Sequence, residues 1–126
     1  APTVLSIVEL GGYPNFTPLY ERLGCRVVTE RSMRKALAAI KQVKPRVIIA
    51  EFNFQSDFRD RTSSLESLMA VVQRLPETYV IVFYEQEYAS QLARLQARFP
   101  LFRVMPYPID EEVLAANVQA ALQEGD

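Results

Sequence analysis

Two unbroken apolar runs, Val47-Ile48-Ile49-Ala50 and Val80-Ile81-Val82-Phe83, restrict the folds open to this chain more than any other feature of its sequence. Neither has the alternating polar positions of a strand with one wet face, and both fall far short of the roughly 20 residues of a membrane-spanning helix. Such strands need cover on both faces, so they belong inside a sheet with helices on either side. Around them the pattern alternates. Thr3 to Glu9 reads as a strand closed by Gly11, Gly12 and Pro14, and Thr17-Pro18 as the cap and first residue of a helix carrying Leu19, Tyr20 and Leu23 up to Gly24. Cys25 to Thr29 is β-rich; Ser32 caps a helix with Met33, Leu37, Ile40 and Val43 on one face, ended by Pro45. Arg46 to Phe52 is the central strand, and after a polar stretch, Asn53 to Thr62, Ser63 and Glu66 have capping-box spacing ahead of Leu65, Leu68, Met69, Val72 and Leu75. Tyr79 to Tyr84 is the fourth strand, followed by a helical stripe of Tyr88, Leu92, Leu95 and Phe99. A strand near Phe102 to Met105 and a helix from Asp110 to Leu122 complete the chain.

Five strands alternating with five helices over short connections predict an α/β fold. It is a doubly wound, five-stranded parallel sheet with helices on both faces, a three-layer sandwich. The 126 residues are enough for one core and are read as one domain, residues 1–126, with both ends resembling plain domain boundaries of a longer regulator. Fourteen basic and fifteen acidic residues are scattered without a basic stripe, so no nucleic acid is expected on this domain. With no histidine and one cysteine, Cys25, there is no disulfide framework, no histidine acid/base chemistry and no His or Cys metal cluster. No basic segment precedes an apolar leader, so the expected setting is the cytoplasm, away from membranes. Cys25 is expected to be a small core residue and not a reactive thiol.

The segment Tyr107-Pro108-Ile109-Asp110-Glu111-Glu112-Val113-Leu114 is similar to the Lys-Pro-hydrophobic-Asp-x-Glu-x-Leu stretch of bacterial response-regulator receiver domains. In element order and length, too, the chain resembles such a domain over essentially its whole extent. The resemblance implies a flavodoxin-like fold, two-component signalling, and a site at the carboxyl ends of the strands. There the family uses an acidic pair for Mg²⁺, an aspartate as phosphoacceptor, a Ser or Thr, and a lysine. In this chain those positions fall on Glu9 and Leu10, Glu51, Tyr84 and Tyr107. Leu10 supplies no oxygen to a hard cation, Glu51 carries one methylene too many, Tyr84 cannot make the small inward movement of a hydroxyl residue, and Tyr107 is neutral. The site is therefore expected to be degenerate, with no catalytic residue, no cofactor and no metal. Asp57 and Asp60 are the acids from which a relocated metal or phosphoryl site would have to be rebuilt.

Two readings of Glu51 stand side by side: a built-in imitation of a phosphoaspartate with its charge held further out, and a solvated carboxylate at a strand end. Tyr84, Tyr88 and Tyr107 are expected to cluster where strands four and five meet the helix between them, as an interface or as filling for the lost site. Arg94, Arg98 and Arg103 lie near the same region. Phe52, Phe54 and Phe58 either cover the core edge or form a docking loop. The leading expectation is a phosphorylation-independent, non-enzymatic module that binds a protein through its helix 4, strand 5, helix 5 face, at Tyr84, Tyr88, Arg94, Arg103 and Tyr107. A second copy of the chain, as a homodimer, is the other partner considered. The alternatives are a small-molecule or nucleotide sensor using the strand-end crevice, for which Gly11-Gly12 is a weak phosphate-loop signal, and an active phosphoacceptor with relocated ligands.

Overall fold

The computed structural model describes residues 1–54 and 64–124. Its strands are β1 (Thr3–Ile7), β2 (Arg26–Glu30), β3 (Val47–Phe52), β4 (Tyr79–Tyr84) and β5 (Arg103–Pro106). The helices are α1 (Thr17–Arg22), α2 (Met33–Val43), α3 (Leu65–Val72), α4 (Ala89–Arg98) and α5 (Glu111–Glu124), with a single 3₁₀ turn over Gln86–Tyr88 leading into α4. All strand pairs are parallel and the sheet order is β2-β1-β3-β4-β5, so the expected doubly wound sandwich is the observed architecture. Every residue of β3 is buried, as an apolar run without polar alternation requires.

Strand alternation divides the interior into two cores. Ile48, Ala50 and Phe52 of β3, with Val80 and Val82 of β4, face the layer of α2, α3 and α4. Val47, Ile49, Ile81 and Phe83 face α1 and α5, where Leu19, Tyr20, Leu114, Val118 and Ala121 close over them. This parity decides which way each side chain at a strand end turns. The order places β1 between β2 and β3, so the direction in which strands are added across the sheet reverses between β1 and β3, and open α/β sheets form their crevice at the carboxyl ends of such strands.

Several boundaries differ from the sequence expectation, each for a local reason. β1 stops at Ile7, which leaves Glu9 in the following loop. α1 begins at Thr17, preceded by Phe16, because the Asn15 side chain accepts from the Thr17 amide at 3.0 Å; Thr17 is thus inside the helix rather than its cap. Ser32 caps α2 as expected, accepting from the Lys35 amide at 3.2 Å, and Lys44 ends that helix in the left-handed region. The residue before α3 is Ser64, not Ser63, and Ser64 makes no side-chain cap; Ser63 itself lies outside the described residues. α3 also ends at Val72, ahead of Leu75. α5 is preceded by Asp110, whose carboxylate accepts from the amides of Glu112 and Val113 at 2.9 and 3.2 Å and caps the helix. Cys25 is buried in the α1/α5 core, with burial raising its thiol pKa, in keeping with an inert core residue.

Candidate functional site

Glu51 is the penultimate residue of β3 and has the parity of Val47 and Ile49, so its side chain turns toward the α1/α5 layer and is 1 % exposed. A carboxylate this deep is tolerated only when its oxygens are fully hydrogen-bonded. The loop between β1 and α1 supplies the donors. The amides of Glu9 and Gly11 donate to Oε2 at 3.2 and 3.3 Å, and the Leu10 amide donates to Oε1 at 2.9 Å. The Tyr13 hydroxyl adds a bond to Oε2 at 2.5 Å and the Asn53 amide group one to Oε1 at 3.1 Å. Three consecutive backbone N–H groups converging on one anion form a nest, a geometry that requires left-handed backbone nearby. Gly11 at φ 70° and Gly12 at φ 87° provide it. The glycine doublet, a poor phosphate-loop signal, is the hinge of a loop wrapped around the protein's own carboxylate.

This placement corrects the reading of Glu51 as a solvated strand-end carboxylate and shows which way its charge is held. The carboxylate is neither held outward nor solvated; strand parity turns it inward, and the extra methylene gives it the reach to meet the loop. Leu10, where a second acid was sought, is 78 % exposed and contributes only its backbone amide. Glu9 is partly buried and accepts from the Ser64 hydroxyl at 3.0 and 2.9 Å on its two oxygens. Burial raises the Glu9 pKa above the ordinary carboxylate value; the Ser64 hydrogen bond opposes this, and the neighbouring charge of Glu51 adds to it.

Aromatic rings close the site. Tyr13 stacks on Tyr107 at 5.9 Å and on Phe16 at 6.1 Å and meets Phe83 edge-on at 5.2 Å. Burial, followed by the hydrogen bond to Glu51, pushes the Tyr13 phenol far above its ordinary range, so it remains a proton donor to that carboxylate at any working pH. Burial likewise raises Tyr107, with the charges of Glu51 and Glu85 acting in the same direction.

The expected cluster of Tyr84, Tyr88 and Tyr107 does not form. Tyr107 joins the α1/α5 side, whereas Tyr84 and Tyr88 pack on the α2/α3/α4 side, because Tyr84 has the opposite parity to Phe83. Tyr88 leans on Phe54 at 5.3 Å, and Phe52 is buried, so these rings cover the core edge; Phe58 lies outside the described residues. Arg94 is exposed, as is Arg103, which covers the Phe102 ring at 4.2 Å, while Arg98 pairs with Glu66 at 3.0 Å. Tyr13, Asn53 and Ser64 escaped the sequence reading. A tyrosine just beyond a glycine doublet was the available signal for the first; nothing in the sequence marks the others.

The fold's usual Mg²⁺ does not suit this arrangement. The groups aimed at Glu51 are N–H and O–H donors, of the same polarity as a cation, and both Glu9 oxygens already accept from Ser64. Among the described residues no group of three acidic or cysteine side chains is placed to hold a metal. Asp57 and Asp60 lie outside the described residues.

This architecture is that of response regulator receiver domains. The chain superposes on a receiver domain protein from Clostridium thermocellum with a TM-score of 0.77 at 16 % identity, covering 98 % of this chain and 96 % of that one. For a receiver domain protein from Methanospirillum hungatei the TM-score is 0.78 at 12 % identity, with 98 % and 95 % covered. For the signal receiver domain of an HD domain-containing protein from Pseudomonas fluorescens it is 0.77 at 16 % identity, with 98 % and 96 % covered. No protein-family model matches the chain, and no curated protein matches it in sequence. Similarity at these identities is similarity of fold.

Glu51→Gln places an amide NH₂ against N–H donors and is expected to cost about 3 kcal/mol of stability in urea unfolding. Glu51→Asp, shorter by roughly 1.5 Å, should also destabilise, and Gly11→Ala should lose about 1–2 kcal/mol by forcing a Cβ into the left-handed region. Stability equal to wild type in Glu51→Gln would mean that the nest does not hold the loop.

Glu9 has a folded pKa above its unfolded value, so the folded state binds more protons and stability falls as pH rises through that window. Glu9→Gln should therefore raise Tm at pH 7, and the gain should vanish as the pH drops below the ordinary carboxylate value. A gain independent of pH would assign the effect to something other than titration of Glu9.

Proposed function

We propose that this chain is a non-enzymatic, receiver-like signalling module that acts by binding another protein and takes up no phosphoryl group. The observation that carries this reading is the five-fold hydrogen bonding of Glu51: the carboxylate at the phosphoacceptor position is turned into the protein and already consumed. A nucleophile needs a free lone pair facing its substrate, and Glu51 offers none. Tyr13, Phe83 and Tyr107 fill the strand-end crevice that a sensor for small molecules would keep open.

What supports a partner on the α4, β5, α5 face is its exposed chemistry. Arg94 and Arg103 are solvent-facing, Val113 is 46 % exposed on α5, and β5 is an edge strand. Arginine and an exposed apolar side chain are the kinds of group that anchor protein interfaces. Tyr88 borders this face half-buried. Tyr84 and Tyr107 serve mainly to close the two cores beneath it. A second copy of the chain or another signalling domain would both satisfy this surface.

The test is an amide NMR titration with Mg²⁺ and beryllofluoride, followed by Mg²⁺ with acetyl phosphate and a mass measurement. No saturable shifts around Glu9, Glu51 or Tyr13 and no added phosphoryl mass are expected; an adduct would overturn the reading. For the face, a partner crosslinked to the wild-type chain should be lost from an Arg94→Glu, Val113→Glu variant whose Tm is unchanged. Retention of the partner would move the docking surface elsewhere.

A further inference from the structure

At the end of the sheet opposite Glu51 the chain encloses a cleft of about 670 Å³, between the last turn of α2, the turn after α3 and the start of β3. Its lining is mostly apolar: Ile40 and Pro45 lie buried at its base, and Val71 and Leu75 present accessible side-chain surface. Val71 is 37 % exposed, unusual for a large apolar side chain in a fold whose β-branched residues are otherwise mostly covered. A cleft of this size and lining is the kind of concavity that proteins use to hold ligands.

The rim is basic. Lys41 and Lys44 stand on the α2 side and Arg74 on the α3 side, all exposed and without an ion pair or side-chain hydrogen bond among the described residues. Glu77 is the acid on the same rim, so positive charge dominates. Two helices, α2 and α3, end here, and their terminal carbonyls carry partial negative charge. A small inorganic anion would find those carbonyls and no array of amide donors of the kind that binds phosphate at helix starts. The surface instead matches a ligand that buries apolar groups in the cleft and carries several separated carboxylates out to the long cationic side chains. An acidic peptide has that composition.

We infer that this cleft docks an acidic amphipathic peptide segment of a partner protein, with its apolar side chains against Val71 and Leu75 and its carboxylates on Lys41, Lys44 and Arg74. The site lies at the other end of the sheet from the strand-end crevice and shares no residue with the surface of Arg94, Arg103 and Val113, and it stands or falls independently of the function proposed above. Electrostatic complementarity at the rim would steer encounter and select acidic over basic segments, while the apolar floor would slow dissociation.

The experiment uses the ¹⁵N-labelled chain and the synthetic peptide acetyl-Glu-Leu-Glu-Glu-Leu-Leu-Glu-Asp-amide at near-physiological salt. Saturable amide shifts confined to residues 40–46 and 70–78 are expected. Affinity should fall about tenfold or more in a Lys44→Glu, Arg74→Glu variant, and also in Val71→Ser. A peptide with serine in place of leucine, one with lysine in place of its acids, and inorganic phosphate should not saturate the site. No saturable shift at millimolar peptide, shifts centred elsewhere, binding unchanged in the charge-reversed variant, or equal binding of the serine peptide would each overturn the proposal. The substituted rim residues are exposed, and an unchanged amide spectrum of each free variant separates lost binding from lost fold.

Discussion

A carboxylate with 1 % of its surface in water needs donors on all sides, and much of the strand-end architecture of this protein answers that need. Glu51 draws the amides of Glu9, Leu10 and Gly11 onto β3, so the loop after β1 is tied to the centre of the sheet rather than to solvent. Tyr13 carries the tie outward. Its hydroxyl ends on Glu51 and its ring stacks on Tyr107, which follows β5, and on Phe16, which precedes α1. One charge thereby couples the carboxyl ends of β1, β3 and β5 to the first helix. Charge-assisted hydrogen bonds to backbone amides are among the stronger polar interactions, and here they are shielded by rings.

That coupling bears on what the molecule can do. At the strand ends the donors face inward onto a resident carboxylate. The same loop cannot hold Glu51 and also hold a metal in its place, since N–H groups and cations repel. The result is an amide–carboxylate cluster under an aromatic cover. The donors and rings of the crevice are engaged with one another, whereas Arg94, Arg103 and Val113 near the β5 edge and the basic residues around the α2/α3 cleft are exposed.

Hydrophobic period carried most of the fold. The unbroken runs in β3 and β4 could only be two-sided strands, and the spacing of Met33, Leu37 and Ile40 or of Leu92 and Leu95 could only be helical, so element order and the three-layer architecture were legible along the chain. Helix starts were less so, because caps depend on competition between neighbours. Asn15 took the Thr17 amide and began α1 early, and Ser64 gave its hydroxyl to Glu9 instead of to its own helix. Strand parity was readable in principle and would have sent Tyr84 and Tyr107 to opposite faces, but only once the last residue of each strand was known.

By itself the sequence determined the five strand–helix alternations and the parallel sheet, since these depend on residue type and local period. The tertiary structure alone decided where the Glu51 charge resides. Its five donors come from residues up to 42 positions distant in the chain and converge only when β1 lies against β3 and two glycines adopt positive φ. A side chain's solvation is a property of what packs around it, and that is set by long-range pairing which no local pattern encodes.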